Sequence, residues 1–269
     1  MANVTDQRQR LLSQLGFRFG INGPHAARTM MLDDLRALFS HTSPSATYKD
    51  YVTAVVEENV LGKPTKKARE LALRHLTTLY GMESENPVFR ALRRLWPLDE
   101  AAQPLLALAV SLARDPLLKS TQKFFLTQPL GTPISRESVE AVLGATYPNR
   151  FSAASLKSFA QNVAGTWTSA GILVGRVRKF RAAPKPCPEA LTMLLFLSHL
   201  EGRTGQRLFS SDWMNLLDQS SADPEALAAS ASHRGLLVFM NAGGVKEVRF
   251  PGYLTPLEEQ IRQEASHVD

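Results

Sequence analysis

The apolar positions of "PHAARTMMLDDLRALFSHT" (24–42) fall at helical spacing, with Met31, Leu32, Leu35, Leu38 and Phe39 on one side. "SPSAT" (43–47) supplies turn and capping residues. "YKDYVTAVVEEN" then repeats the pattern through Tyr48, Tyr51, Val52, Val55 and Val56. Gly62 and Pro64 break that second helix, and Thr65 is placed to cap a third, "KKARELALRHLTTLY". Its Ala68, Leu71, Ala72, Leu76 and Leu79 turn inward, leaving Lys66, Lys67, Arg69 and Arg74 outside. The pair fits helix-turn-helix packing or a plain helical hairpin. Pro87, Pro97, Pro104, Pro116 and Pro129 cut the following stretch into short helices. Residues 1–22 read as a polar, partly helical lead-in.

Beyond "QPLGTP" (128–133) the pattern changes. "ISRESVEAVLGATYP" predicts a helix starting at Ser135, and "PNRF" a turn that brings Ser152 to an N-cap. Leu156, Phe159, Ala160, Val163, Trp167 and Ala170 then form one core-facing stripe, ended by Gly171. The opposite face carries Ser155, Lys157, Ser158, Gln161, Asn162 and Thr166. These small or amide side chains can approach DNA closely, and Gln or Asn can pair bidentately with adenine. "ILVGRVRKFR" follows, β-branched and basic, with Arg176 and Arg178 on one face and Lys179 or Arg181 towards the other. Helix, turn, helix and basic strand is the winged-helix order. It reads either as a recognition helix with a DNA-contacting wing or as a core helix with a solvated strand, and DNA contact is the expectation.

"AAPKPCP" (182–188) reads as a linker. "EALTMLLFLSHLEG", "SDWMNLLD" and "DPEALAASASHRG" predict three more helices. "LLVFMNAGGVKEVRF" predicts a hairpin turning at Asn241–Gly244, which suggests a second winged helix, and "TPLEEQIRQEASHVD" a terminal helix. The expected class is mainly α: a helical N-terminal region (1–130), a basic winged-helix-like module (131–183) and an acidic one (184–269).

Charge sharpens this division. The 269 residues carry a net +6, yet residues 141–188 hold seven Lys or Arg and no carboxylate, while residues 189–269 hold six basic and 11 acidic residues. A single-sign field of that kind attracts polyanions, nucleic acid first. The apolar stretches 104–113 and 190–200 fall short of the ~20 residues that span a bilayer, so buried helices and no membrane partner are expected. A polar N-terminus without an apolar run and a single cysteine, Cys187, point to the cytoplasm.

The chemistry of known motifs is missing. "LGKPTKK" lacks the first glycine of a phosphate-binding loop, and Pro64 follows its lysine. The six histidines show no ligand spacing and read as surface or partly packed residues; no metal, cofactor or catalytic residue is expected. Trp96, Trp167 and Trp213 read as core anchors.

Two stretches, "VVEENVLGKPTKKARELALRHL" (55–76) and "FSAASLKSFAQNVAGTWTSAGIL" (151–173), flank the apolar "LLALAVSLARDPLLKSTQKFF". This order resembles the A-component (BrxA) family of bacteriophage-exclusion (BREX) systems over roughly residues 25–180. The resemblance implies a mainly helical, non-catalytic DNA-binding protein, encoded beside a DNA methyltransferase, an ATPase and a phosphatase-like protein that are its possible partners. It carries over Lys63, Lys66 and Lys67 from the first motif and Ser152, Ser155 and Lys157 from the second. The acidic module departs from the pattern.

Together these readings predict a double-stranded-DNA-binding accessory of a phage-defence system. Its contacts would come from Lys63, Lys66, Lys67, Arg69, Arg74, Arg150, Ser152, Ser155, Lys157, Ser158, Gln161, Asn162, Arg176, Arg178, Lys179 and Arg181. The rival readings are a winged-helix transcriptional regulator, a protein-interaction scaffold and, less favoured, an RNA-binding protein.

Overall fold

A computed structural model describes residues 4–21, 23–217 and 223–268. The chain is mainly helical, with two small antiparallel sheets. Helices α1 (Val4–Gln14), α2 (Leu32–His41), α3 (Tyr48–Val52) and α4 (Lys66–Tyr80) lead into α5 (Pro87–Leu95) and α6 (Gln103–Arg114). The short α7 (Pro116–Lys119) and α8 (Gln122–Thr127) follow. α6 is buried on nearly every side and is the centre of this region, packing on α4, α5 and α7.

Two predicted helices differ in form. The run from 24 shortens to a 3₁₀ turn at Pro24–Ala26, and α2 starts only at Leu32, because Met31 takes a left-handed backbone (φ 51°). The second passes from α3 into a π turn, Thr53–Glu57. Thr65 caps α4, accepting from the Ala68 amide at 3.1 Å, as its sequence predicts.

The basic region has a winged-helix-like arrangement. Strand β1 (Pro133–Ile134) precedes α9 (Arg136–Thr146) and α10 (Ala153–Ser169), and the hairpin β2 (Leu173–Val174) and β3 (Lys179–Arg181) returns so that the sheet order is β1–β3–β2. Ser135 and Ser152 accept from the backbone amides of Ser138 and Ser155 and start the two helices; Gly171 (φ 77°) ends the second. Trp167 is fully buried, its indole donating to Thr121 Oγ1 at 3.2 Å and packing on Phe125. Trp96 and Trp213 are also core residues.

The acidic region holds α11 (Pro188–Leu200), α12 (Gln206–Phe209), a 3₁₀ turn at Asp212–Leu216, α13 (Pro224–His233) and the hairpin β4 (Val238–Ala242) and β5 (Val245–Arg249). Helix α14 (Pro256–His267) packs on α1. No third strand joins β4 and β5 among the described residues. α11 is buried almost all round, against α6, α13 and the Trp213 turn, which explains its continuous apolar sequence. No helix among the described residues is long and apolar enough to cross a membrane.

The stretch read as a linker is packed: Pro184 and Cys187 are buried, and the Ala182 amide donates to Ile172 O. One contiguous core of buried residues runs from Leu12 to Ala265 through all three regions.

His199 gives this core a pH dependence. Burial, then the nearby Arg262 guanidinium, push its imidazole down from 6.5 to about 4, against a raising effect from Glu259 at 3.8 Å. The unfolded chain therefore binds a proton that the folded chain refuses between these values, so stability falls as pH drops from 6.5 towards 4. The loss reaches about 3 kcal/mol at about 1.4 kcal/mol per pH unit. Thermal unfolding between pH 4 and 7.5 should show this slope, and His199→Gln should flatten it.

Candidate nucleic-acid interface

Helix α10 presents its buried stripe, Ala160, Val163, Ala164 and Trp167, to the core. Opposite lies a row of small, uncharged residues, Ala154, Ser158, Gln161, Gly165 and Ser169, exposed or partly so, with Lys157 exposed beside it. Such a face lets a helix backbone come close to another surface. At Gly165 the Thr29 methyl already does so, 3.1 Å from where a Cβ would stand, so the open part runs over Ala154, Ser158 and Gln161, the last its longest hydrogen-bonding side chain.

The hairpin adjoining this face turns at Gly175–Arg178. Gly175 has φ 103°, and a Cβ there would stand 2.0 Å from the Arg178 carbonyl oxygen, so only glycine closes this turn. Arg176, Val177 and Arg178 are all exposed at the tip, Val177 at 93%. Neither arginine has a hydrogen bond or ion pair among the described residues. Lys179 instead folds back, donating from Nζ to Thr168 Oγ1 at 2.8 Å, and burial lowers its pKa. A groove of about 800 Å³ separates hairpin from helix, lined by Gln161 and Gly165 of α10, Arg178 and Phe180 of the hairpin, and Ser135 and Arg136 at the start of α9.

A second groove, of about 690 Å³, meets α10 at Ser169 and is lined on its far side by Arg28, Asp33, Asp34, Arg36, Lys63 and Ala68. Gln161, Gly165 and Ser169 are four residues apart in turn, so both grooves run along one face of α10. Of the basic residues of 63–74 only Lys63 lines this second groove, so the outer cations of α4 are not brought to the α10 face. Nearby carboxylates are largely taken up: Asp34 pairs with Lys63 at 2.7 Å, and Glu137 and Glu140 pair with Arg136, both at 2.7 Å.

Several expected contacts are corrected by this geometry. Arg181 is buried and bonds the Phe125, Ile172 and Ala182 carbonyls, fastening the sheet rather than facing solvent. Asn162 donates to His25 O at 3.1 Å and is turned away from the open face. Lys63 is held by Asp34, and Arg69 bonds the Val56 and Lys63 carbonyls, stapling the turn ahead of α4. Ser152 and Ser155 serve the N-cap of α10. Arg150 is half-buried over the Phe151 and Tyr147 rings. Lys66, Lys67, Arg74, Lys157, Ser158, Gln161, Arg176 and Arg178 are exposed. On α4, however, the groove is lined by Ala68 and Ala72, and Lys66, Lys67 and Arg74 lie about 100° or more round the helix from them, away from the groove. Arg28, Arg36, Arg136 and Val177 were not singled out in the sequence. Arg28 lies in a stretch whose periodicity suggests helix, and Val177 is a valine that local pattern assigns to a strand.

The C-terminal half of α10 is clamped by residues 23–30. His25, fully buried, is contrary to the surface or partly packed setting expected of it. Its Nδ1 and backbone amide both meet Asp115 Oδ2 at 2.8 Å, and its Nε2 meets Thr166 Oγ1 at 2.7 Å. Thr166 Oγ1 also accepts from the Met30 amide at 2.9 Å. Burial opposes ionisation of Asp115, but the hydrogen bonds and charge of His25 prevail and hold its carboxyl below the ordinary range. The hydroxyl–imidazole–carboxylate order resembles a hydrolytic triad, yet all three side chains are closed to solvent and no substrate can reach the hydroxyl. It is a fastening between the N-terminal region and α10. A Cβ on Gly23 would collide with Asp115 Oδ1, so the chain passes this point only as glycine.

Asp99, Cys187 and Glu189 bring three metal-type ligand atoms within 4.8 Å, but the Arg234 guanidinium pairs with Glu189 and provides the positive charge there. Burial raises the Cys187 thiol, which disfavours a reactive thiolate. No protein-family model matches the chain, and no curated protein matches it.

Proposed function

We propose that this protein is a non-catalytic double-stranded-DNA-binding protein that lays the open face of α10 along the duplex and sets the hairpin tip on the phosphate backbone. The observation that carries this reading is the juxtaposition of unpaired Arg176 and Arg178 with a shallow uncharged helix face, in a region whose neighbouring carboxylates are mostly paired. Gln161 is the side chain able to read a base edge in the major groove, so sequence preference is weak and phosphate contacts dominate affinity. Arg28, at the second groove, extends the footprint. The BrxA-like stretches support a role as an accessory in a BREX-type phage-defence system, with the other components of that system as partners.

A mobility-shift titration on random-sequence duplex DNA at several salt concentrations tests this. Engagement of four to six phosphates gives a log–log salt slope of about −4 to −5. A slope near zero would sink the proposal. A protein-docking scaffold is the second reading, favoured by the exposed apolar Val174, Val177 and Phe180 among the cations. It predicts a co-purifying protein that survives nuclease treatment and no salt-steep DNA binding.

A further inference from the structure

A pocket of about 550 Å³ lies between α5, the turn joining α2 to α3, and the segment ahead of α14, sharing no residue with the grooves along α10. Its walls include Arg90, Arg93 and Arg94 of α5, with Ser45 and Ser84, and no carboxylate. Arg90 is neutralised by Glu258 at 2.6 Å. The other two arginines have no ion-pair partner among the described residues.

Arg93 is the anomaly. It is only 5% exposed, stacks on the Phe39 ring at 4.0 Å and donates from Nη2 to the Thr42 and Ser43 carbonyls. These neutral acceptors leave its charge unbalanced, and its Nε is buried without a partner. The hydroxyl of Tyr51, which interacts electrostatically with Arg93, is likewise buried and unpartnered. Both orphans are closed to solvent, so the donor that Arg93 offers in the pocket is Nη1, which is neither sealed off nor hydrogen-bonded. Arg94 is exposed and lies over the Tyr253 ring at 4.3 Å, held by Pro251 O. Two unbalanced guanidinium groups match a doubly charged anion, and guanidinium is the side chain best suited to bidentate phosphate recognition. The rest of the wall is apolar, with Pro44, Ala46, Phe89 and Tyr253, and the volume is that of a small-molecule site.

We propose that this pocket binds a phosphomonoester of nucleotide size, its phosphate held between Arg93 and Arg94 and its organic part against Pro44, Ala46 and Tyr253. The site joins the N-terminal helices to the C-terminal segment, so its occupation stabilises the whole chain.

The test is thermal unfolding of the full chain in phosphate-free buffer at fixed ionic strength, with AMP or adenosine at 1 mM or below, where general salting effects are small. AMP is expected to raise Tm by about 3–5 °C at tenfold excess over its Kd, and adenosine to leave it unchanged. Arg94→Ala, an exposed substitution, should abolish the shift, as should Arg93→Gln if it folds, while Arg74→Ala should keep it. Competition by a 5′-phosphorylated trinucleotide would assign the site to nucleic-acid ends, and its failure to a free metabolite. The proposal is overturned if AMP acts no differently from adenosine, or if Arg94→Ala responds like the wild type. Either result leaves the DNA-binding reading standing, since that rests on other residues.

Discussion

Arg176→Ala/Arg178→Ala is expected to weaken binding to duplex DNA by about tenfold or more near 0.1 M salt, and to flatten the salt slope by about 2, since each phosphate contact contributes roughly 0.9. Both side chains are exposed and free of protein partners, so Tm should stay the same. The loss should be equal on different DNA sequences, because phosphate contacts carry no sequence information. Lys179 is left out of this variant deliberately. Its bond to Thr168 ties the hairpin to α10, and its removal would mix a structural loss with an electrostatic one. Arg181→Ala supplies the contrast: it should lower Tm by removing bonds to buried carbonyls, with any loss of DNA affinity following from the weakened sheet. An unchanged salt slope in the double variant would remove the hairpin from the interface.

Asp115→Ala should produce the largest loss of stability of any polar substitution here, about 3–5 kcal/mol, or a Tm lowered by about 10 °C. The carboxylate receives the His25 amide and ring, and the Leu117 and Leu118 amides, all buried. Truncation strands these donors away from water, which costs more than the hydrogen bonds were worth. Differential scanning calorimetry of the variant measures this directly. Asp115→Asn, which keeps the shape and one acceptor, should fall between. The sign of the pH effect follows from the lowered carboxyl: its stabilisation is complete above the unfolded value near 3.8 and is lost as pH falls through the lower folded value. It therefore adds to the His199 loss only at the acid end.

Periodicity revealed most of the helices, because amphipathic spacing is local and the caps at Thr65, Ser135 and Ser152 sit beside the residues they serve. It also revealed the order helix, turn, helix and basic β segment, but neither strand β1 nor the turn at Gly175–Arg178 that divides the basic segment into a hairpin. Which cations are free was not legible. Arg178 and Arg181 differ little in local context, yet one sits at a turn tip and the other is drawn inward by the Phe125 carbonyl, 56 residues away. Gln161 and Asn162 are adjacent amides on one helix. Asn162 is spoken for by His25, 137 residues distant, and nothing near it announces this. Charge counting marks a region; the partner that neutralises or orients each group is set by long-range packing. His25 shows the same limit, since histidine spacing can signal metal ligation but not a buried link to Asp115 and Thr166.

The His25–Asp115–Thr166 fastening bears on modularity. Residues 131–183 contain the three strands of the first sheet and the helices between them, and look transplantable. In the intact protein, though, α10 shares its polar side with residues 23–30 and its indole anchor with Thr121. A graft of that segment into another protein would leave the Thr166 hydroxyl, the Asn162 amide and the Trp167 indole without the partners that hold them in this chain. The smallest unit that can be moved intact includes residues 23–30 and Asp115, which together hold α10.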